Sequence, residues 1–298
     1  MGKALAGKFP EARGVFQAAD DALGESLSRL CFEGPESELV LTRNTQPAIL
    51  ATSIAAHAVW AARGGPAAFV AGHSLGEYSA LVAAGALSLA DAVRAVRARG
   101  TLMQEAVPGG TGAMAAVLGL DAEVVARICA EAAEGQVVSP ANYNSPEQTV
   151  IAGHAAAVER ASAKLREAGA KRVVPLSVSA PFHCALMEPV KPRLAEVLAR
   201  CTVSGPRMPV VSNVEAAPNA DAARVVPLLL AQVSAPVRWV ESIRALAAAG
   251  VTRVVELGPG RVLGGLVKRI SKEIEVLNVE DPASLEKSLG AAGSRSQA

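Results

Sequence analysis

Between Gly64-Gly65-Pro66 and Ala84 the chain changes backbone direction abruptly, and that change limits what the rest can fold into. Ala67-Ala68-Phe69-Val70-Ala71 is a short apolar run bounded by turn residues, which reads as a buried strand. Glu77 to Ala84 is rich in Ala and Leu and reads as a helix. Gly72-His73-Ser74-Leu75-Gly76 lies between them. A strand turning straight into a helix leaves no room for Cβ atoms at the corner. Glycines let that corner close, and the serine between them is lifted to the end of the sheet with Oγ outward. The same turn aims the Leu75 N–H at the place where an oxyanion would form.

The rest of the chain alternates in the same way. Pro10 to Leu23 reads as an amphipathic helix closed by Gly24. Pro47 to Arg63 reads as a longer helix, capped by Asn44 or Thr45 with Pro47 in its first turn. Ser88-Leu89-Ala90-Asp91 opens a further helix that ends at Pro108-Gly109-Gly110. The next section reads strand 112–118, helix 122–133, strands 136–141 and 148–152, helix 155–168 and strand 171–176. That is the β-α-β-β-α-β order of a ferredoxin-like unit. After it come a helix to about Arg200, a strand at 209–212, helices at 225–233 and 240–249, a strand at 251–257 and a helix at 261–270. Such alternation predicts an α/β fold whose mostly parallel sheet is covered on both faces. The predicted organisation is a large α/β domain from 1–107 and 178–290, an insert at 108–177, and a disordered tail at 291–298.

Composition removes several function classes. A net charge of +1 gives no global attraction to nucleic acid. No uninterrupted apolar run approaches the ~18 residues of a membrane span, and the N-terminus lacks a signal peptide's apolar region. Cys31, Cys129, Cys184 and Cys201 are scattered and match no zinc or redox spacing. Reduced thiols in a cytoplasmic protein are expected.

A serine hydroxyl needs a base before it can attack. His73 adjoins Ser74, and neighbouring side chains on a tight turn point apart, so a structural role is expected. His57 lies within the Ala-rich helix and His154 at a helix start. His183 sits in a Pro-bounded loop where the insert returns to the large domain, the kind of place where catalytic groups gather. It is the predicted base. The acceptor that would orient its ring stays open between Asp221, Glu256 and a backbone carbonyl.

Beyond the elbow, the chain carries Asn44-Thr45-Gln46-Pro47-Ala48, Arg97-Ala98-Arg99-Gly100, Asn142-Tyr143-Asn144-Ser145-Pro146, Pro181-Phe182-His183-Cys184 and Glu256-Leu257-Gly258-Pro259-Gly260. With Gly72-His73-Ser74-Leu75-Gly76-Glu77-Tyr78, these motifs resemble the malonyl-CoA:acyl carrier protein transacylases from about Phe9 to Leu289. The resemblance implies an α/β-hydrolase-like large domain with a ferredoxin-like insert. It implies Ser74 as acyl acceptor, His183 as base, and Arg99 as the grip on the free malonyl carboxylate, a task suited to a guanidinium's paired donors. It also implies that the backbone carbonyl of Gln232 orients His183, and that the Phe182 ring leaves little room for a methyl on the substrate's α-carbon. Gln46 and Asn144 fall on its substrate side.

Members of that family begin with a strand and a Gly-Gln-Gly-Ser-Gln loop ahead of the point matched by Met1-Gly2-Lys3. The sequence as written contains neither, and an upstream start codon is expected. The loop glutamine would be the second oxyanion donor, and such a donor is worth about a hundredfold or more in rate. The activity implied is transfer of malonyl from malonyl-CoA to holo-acyl carrier protein. No bound cofactor, metal, nucleic acid or membrane is expected, and the chain is expected to be monomeric. Lys171-Arg172 and Lys268-Arg269 are candidate contacts for an acidic carrier. The rival readings are a serine thioesterase or esterase and an inactive, N-terminally truncated carrier-binding paralogue.

Overall fold

The computed structural model describes residues 1–178 and 180–293. Its first stretch is helical: α1 (Lys3–Lys8), α2 (Pro10–Leu23), α3 (Leu27–Glu33), α4 (Glu36–Leu39) and α5 (Thr42–Ala61). α2 opens on Pro10 and closes on Gly24 at φ 66°, as its sequence predicts. α5 differs from the sequence reading. It starts at Thr42, so Asn44 and Thr45 lie inside it and Pro47 falls beyond the first turn. The two polar side chains turn back instead of capping. Asn44 donates to the Glu38 carbonyl at 2.8 Å, and Thr45 to that of Leu39 at 2.5 Å. A proline removes one helical donor, but Asn44, Gln46, Pro47 and Ala48 are all buried, and tertiary packing outweighs the local preference.

β1 (Val70–Ala71) is only the end of the apolar run expected as a strand. The elbow feeds α6 (Gly76–Ala83), and α7 (Leu89–Glu105) follows, capped by the Ser88 hydroxyl accepting from the Asp91 N–H at 3.0 Å.

The chain then builds a separate sheet from β2 (Gly112–Leu118), α8 (Ala122–Ala132), β3 (Val138–Ser145), β4 (Gln148–His154), α9 (Ala155–Glu167) and β5 (Arg172–Pro175). The spatial order is β3-β4-β2-β5 with every pair antiparallel, the ferredoxin-like arrangement. β3 runs on to Ser145 through two register shifts, past its expected end at Ala141. Its polar Asn142-Tyr143-Asn144 hides the continuation from a reading based on apolar residues.

Residues alternate across this sheet. Ala115, Val117 and Ile151 pack with Val125, Ile128 and Leu165 of its own helices. Met114, Ala116, Val150 and Ala152 pack the other way, against Cys184, Phe182 and Leu186. One face is thus buried under α8 and α9, and the other props the loop that carries His183. The approach is close: a Cβ on Gly112 would lie 2.3 Å from Pro181 Cγ.

A 3₁₀ turn at Ala185–Met187 leads to α10 (Val190–Leu198), β6 (Val210–Val211), β7 (Pro218–Asn219), α11 (Ala222–Gln232), α12 (Trp239–Ala248), β8 (Arg253–Leu257), α13 (Val262–Ile270), β9 (Glu275–Val279) and α14 (Pro282–Gly293). β1 pairs with β6 and β8 with β9, both in parallel, while β7 adds an antiparallel edge. The whole is an α/β-hydrolase-like layered fold with the four-stranded unit inserted. α14 holds 291–293 in a helix, against the expectation of a disordered tail from 291. Residues 294–298 of that expected tail lie outside the described residues.

Candidate active site

Only four described non-glycine residues have positive φ, and two of them are Ser74 at 51° and His183 at 59°. Such a backbone costs on the order of 1–3 kcal/mol and persists only where surroundings enforce it. At Ser74 the enforcement is visible. A Cβ on Gly72 would lie 1.9 Å from the Gly76 carbonyl oxygen, so the corner closes only without one. Asn213, just past β6, pins the same corner. Its Oδ1 accepts the Ser74 N–H at 2.6 Å and its Nδ2 donates to the Gly72 carbonyl at 2.7 Å.

Ser74 Oγ lies 2.7 Å from His183 Nε2. His183 Nδ1 lies 2.9 Å from the Gln232 carbonyl oxygen. A carbonyl can only accept, so Nδ1 carries the hydrogen and the Nε2 lone pair faces the serine. Gln232 ends α11, where the last carbonyls have no helical partner and the dipole is negative. The helix terminus therefore occupies the place a carboxylate takes in a Ser-His-Asp triad. Asp221 and Glu256 are committed elsewhere. Asp221 caps α11 by accepting the Ala223 N–H at 2.9 Å, and Glu256 accepts the Leu263 and Gly264 N–H groups at the start of α13.

Burial, then the Arg99 charge, pulls His183 down from 6.5 to about 3, against the opposing pull of the Gln232 carbonyl. The ring is neutral throughout the physiological range. Arg99 is itself buried, 2% exposed, and is not the solvated helix residue its position alone would suggest. Nη1 donates to Gln46 Oε1 at 2.7 Å; Nη2 donates to Ser74 Oγ at 3.1 Å and to Gln232 Oε1 at 3.0 Å. It forms no ion pair with any described residue. A buried cation with only neutral partners, touching the nucleophile, is a ready seat for an anionic group.

Ser74 and Arg99 face a cavity of about 320 Å³, lined also by Gln46, Leu75, Met103 and Phe182. Its size is at the small end for ligand clefts and suits an acyl group better than a whole nucleotide thioester. The Leu75 N–H has no acceptor among the described residues. A second cavity, beside Arg97 and Arg43, pairs those cations with Glu25 and Glu38 and contains no serine-base pair. Among the described residues no cluster of His, Cys, Asp or Glu could hold a metal, and no helix is long and apolar enough to cross a membrane.

A family profile described as acyl transferase domain matches residues 1–290. The malonyl CoA-acyl carrier protein transacylase of Salmonella typhimurium is 51% identical over 286 residues, spanning 96% of this chain and 93% of that protein. This chain belongs to that transacylase family. Among solved structures, an acyl carrier protein S-malonyltransferase from Vibrio cholerae superposes with a TM-score of 0.94 at 48% identity, covering 96% of this chain and 94% of that one. A malonyl-transacylase in complex with a type II PKS acyl-carrier protein gives 0.94 at 49% identity, covering 98% and 94%.

Other residues singled out in this transacylase lie near the cavity without entering it. His73 Nε2 pairs with Asn144 Oδ1 at 2.8 Å, and its ring leans on Trp239. Asn144 therefore serves His73 and does not line the cavity. His57 is half-buried in α5, and His154 accepts the Val137 N–H through Nδ1. Three contributions escaped the sequence reading: Asn213, the buried carboxylate of Glu77, and the side chain of Gln232. Asn213 sits 139 residues from Ser74, and no local signal marks it. Glu77 lies inside the elbow motif, where a charged residue ending up 3% exposed is a usable signal only after burial is known.

Proposed function

We propose that this chain moves malonyl from malonyl-CoA to the phosphopantetheine thiol of acyl carrier protein through a malonyl ester on Ser74. The observation that carries this reading is Arg99: a buried guanidinium without an ion-pair partner among the described residues, with Nη2 3.1 Å from the nucleophile. Malonyl differs from acetyl by one carboxylate, and paired N–H donors in a dry pocket select for it.

In the first half-reaction Ser74 Oγ attacks the thioester carbon while its proton passes to His183 Nε2. The carbonyl electrons move onto oxygen, where the free Leu75 N–H is a donor. As the C–S bond breaks, the CoA sulfur takes the proton from His183. The second half-reaction runs in reverse, with the carrier's thiol giving its proton to His183 and attacking the ester carbon. The Gln232 carbonyl and its helix terminus stabilise the transient imidazolium. Phe182 narrows the pocket beside the α-carbon, and Gln46 holds the second arm of Arg99. No step calls on a cofactor. The exposed pairs Lys171-Arg172 and Lys268-Arg269 are the basic contacts offered to an acidic carrier.

Intact-mass analysis after mixing with malonyl-CoA tests the reading. A malonyl adduct is expected on Ser74, stable in water and discharged by holo-acyl carrier protein, and absent in Ser74→Ala. Free malonate formed as fast as the adduct would make the chain a hydrolase instead. No adduct at all would make it a carrier-binding protein without chemistry.

A further inference from the structure

Gln232 contributes both its backbone carbonyl and its side-chain amide to this site. Its side-chain amide is fully buried and polarised in a fixed direction. Oε1 accepts from Arg99 Nη2 at 3.0 Å. Nε2 donates to the Ser74 carbonyl at 3.0 Å and to Glu77 Oε2 at 2.7 Å. The Ser74 carbonyl and a Glu77 carboxylate offer only lone pairs, and Arg99 offers only hydrogens. One orientation of the amide satisfies all three, and the flipped one opposes donor to donor and acceptor to acceptor.

Glu77 gives this arrangement its point. It lies in the first turn of α6, where a carboxylate could serve the helix dipole. Its recorded bonds go elsewhere, to the Asn213 N–H at 3.1 Å and to Gln232 Nε2. It is the one buried carboxylate among the described residues, and the amide stands between it and the one fully buried arginine. In direct contact, Glu77 and Arg99 would neutralise each other, leaving little attraction for a third charge. With an amide interposed, the guanidinium is held in place while its charge stays available to the cavity.

We infer that the Gln232 side chain is a positioning and specificity residue, an uncharged spacer that fixes Arg99 toward the acyl pocket without neutralising it. This rests on the reading of Arg99 as the malonyl clamp. The spacer explains why the position needs an amide. Methionine has the length but no polarity. Glutamate has the shape but would put an anion against Arg99 and against Glu77.

The test compares rate constants for acylation of Ser74 by malonyl-CoA and by acetyl-CoA in mildly alkaline buffer. Acetyl lacks the carboxylate, so its rate carries every effect on Ser74 except the clamp, and the ratio of the two isolates the clamp; the backbone carbonyl of residue 232 remains in every variant. Hydrogen bonds to charged groups set the expected size. Gln232→Met should lower the malonyl-to-acetyl ratio about tenfold, chiefly through KM for malonyl-CoA. Gln232→Glu should lower it further, on the order of a hundredfold. Equal losses for the two substrates, or an unchanged ratio, would overturn the inference. Should Gln232→Met fail to fold, Gln232→Glu carries the same comparison, with acetyl acylation reporting an intact site. Arg99→Ala, run in parallel, separates the two readings. If it keeps the malonyl preference, the clamp assignment fails. If it loses the preference while both Gln232 variants keep it, only the spacer fails.

Discussion

The inserted sheet and the Ser74 elbow follow opposite building rules. The insert's strands are four to eight residues long and pair through antiparallel ladders, interrupted only by the two register shifts between β3 and β4. β1 and β6, which carry the elbow and Asn213, are two residues each, and their parallel register joins positions 140 apart in the chain. Ladder hydrogen bonds hold the insert. The elbow is held by side chains, with Asn213, Gln232 and Glu77 supplying bonds that longer strands would have supplied through backbone. The contrast teaches where tolerance to mutation should lie. A side-chain network fails when one member is lost, because each buried partner is left unsatisfied, whereas a ladder loses only packing.

The sharpest way to break this contrast is to remove the base. His183→Ala should slow Ser74 acylation by about 10²- to 10⁴-fold, the usual contribution of a positioned general base, read by single-turnover mass analysis. A loss below tenfold would mean that Ser74 is activated in some other way.

The next prediction uses the two faces of the inserted sheet. Ile151→Ala empties the face under α8 and α9, and Met114→Ala the face against the His183 loop. Each should cost about 2–5 kcal/mol of stability by denaturant titration. Only Met114→Ala should also slow acylation, because its cavity opens beneath Cys184 and the strained residue before it. Equal acylation rates in the two variants would show that the insert does not support the base.

The smallest effect is a pH dependence that sets two buried groups against each other. His183 is held near 3, against 6.5 when free, so the unfolded chain binds more protons between those values. Its contribution to stability is present above 6.5 and is lost as pH falls through that window. Glu77 goes the other way. Burial raises it from 4.5 to about 7, against the bonds from Gln232 and Asn213 and the Arg99 charge. Its contribution is full below 4.5 and is lost as pH rises toward 7. Glu77→Gln removes only the second dependence. The stability of the variant relative to the parent should therefore improve between pH 5 and pH 8, by about 1–3 kcal/mol. A constant difference would mean that Glu77 titrates as it does in water. Acylation, governed by His183, should not decline until well below its ordinary range.

Much of this protein is written locally. Gly72 beside Ser74 marks a corner that is legible locally, because only a residue without a Cβ lets the chain close against the Gly76 carbonyl; Gly76 itself has room for a side chain. The βαββαβ order of the insert follows from alternating apolar segments, because each strand can be read as apolar or polar by face; the pairing order, with β2 between β4 and β5, is settled in three dimensions. The Pro-bounded loop marked His183 among the four histidines, although the sequence left its ring acceptor open between two carboxylates and a carbonyl. Tertiary structure decided the rest. It moved the start of α5 to Thr42 past a proline, since burial of that turn outweighs proline's local penalty. It buried Arg99, which its place on a helix would leave solvated, more deeply than any other charged side chain among the described residues. It also aligned the Gln232 carbonyl and amide with residues far away in the chain. Bond direction and burial are properties of neighbours in space, and a sequence lists neighbours only along the chain.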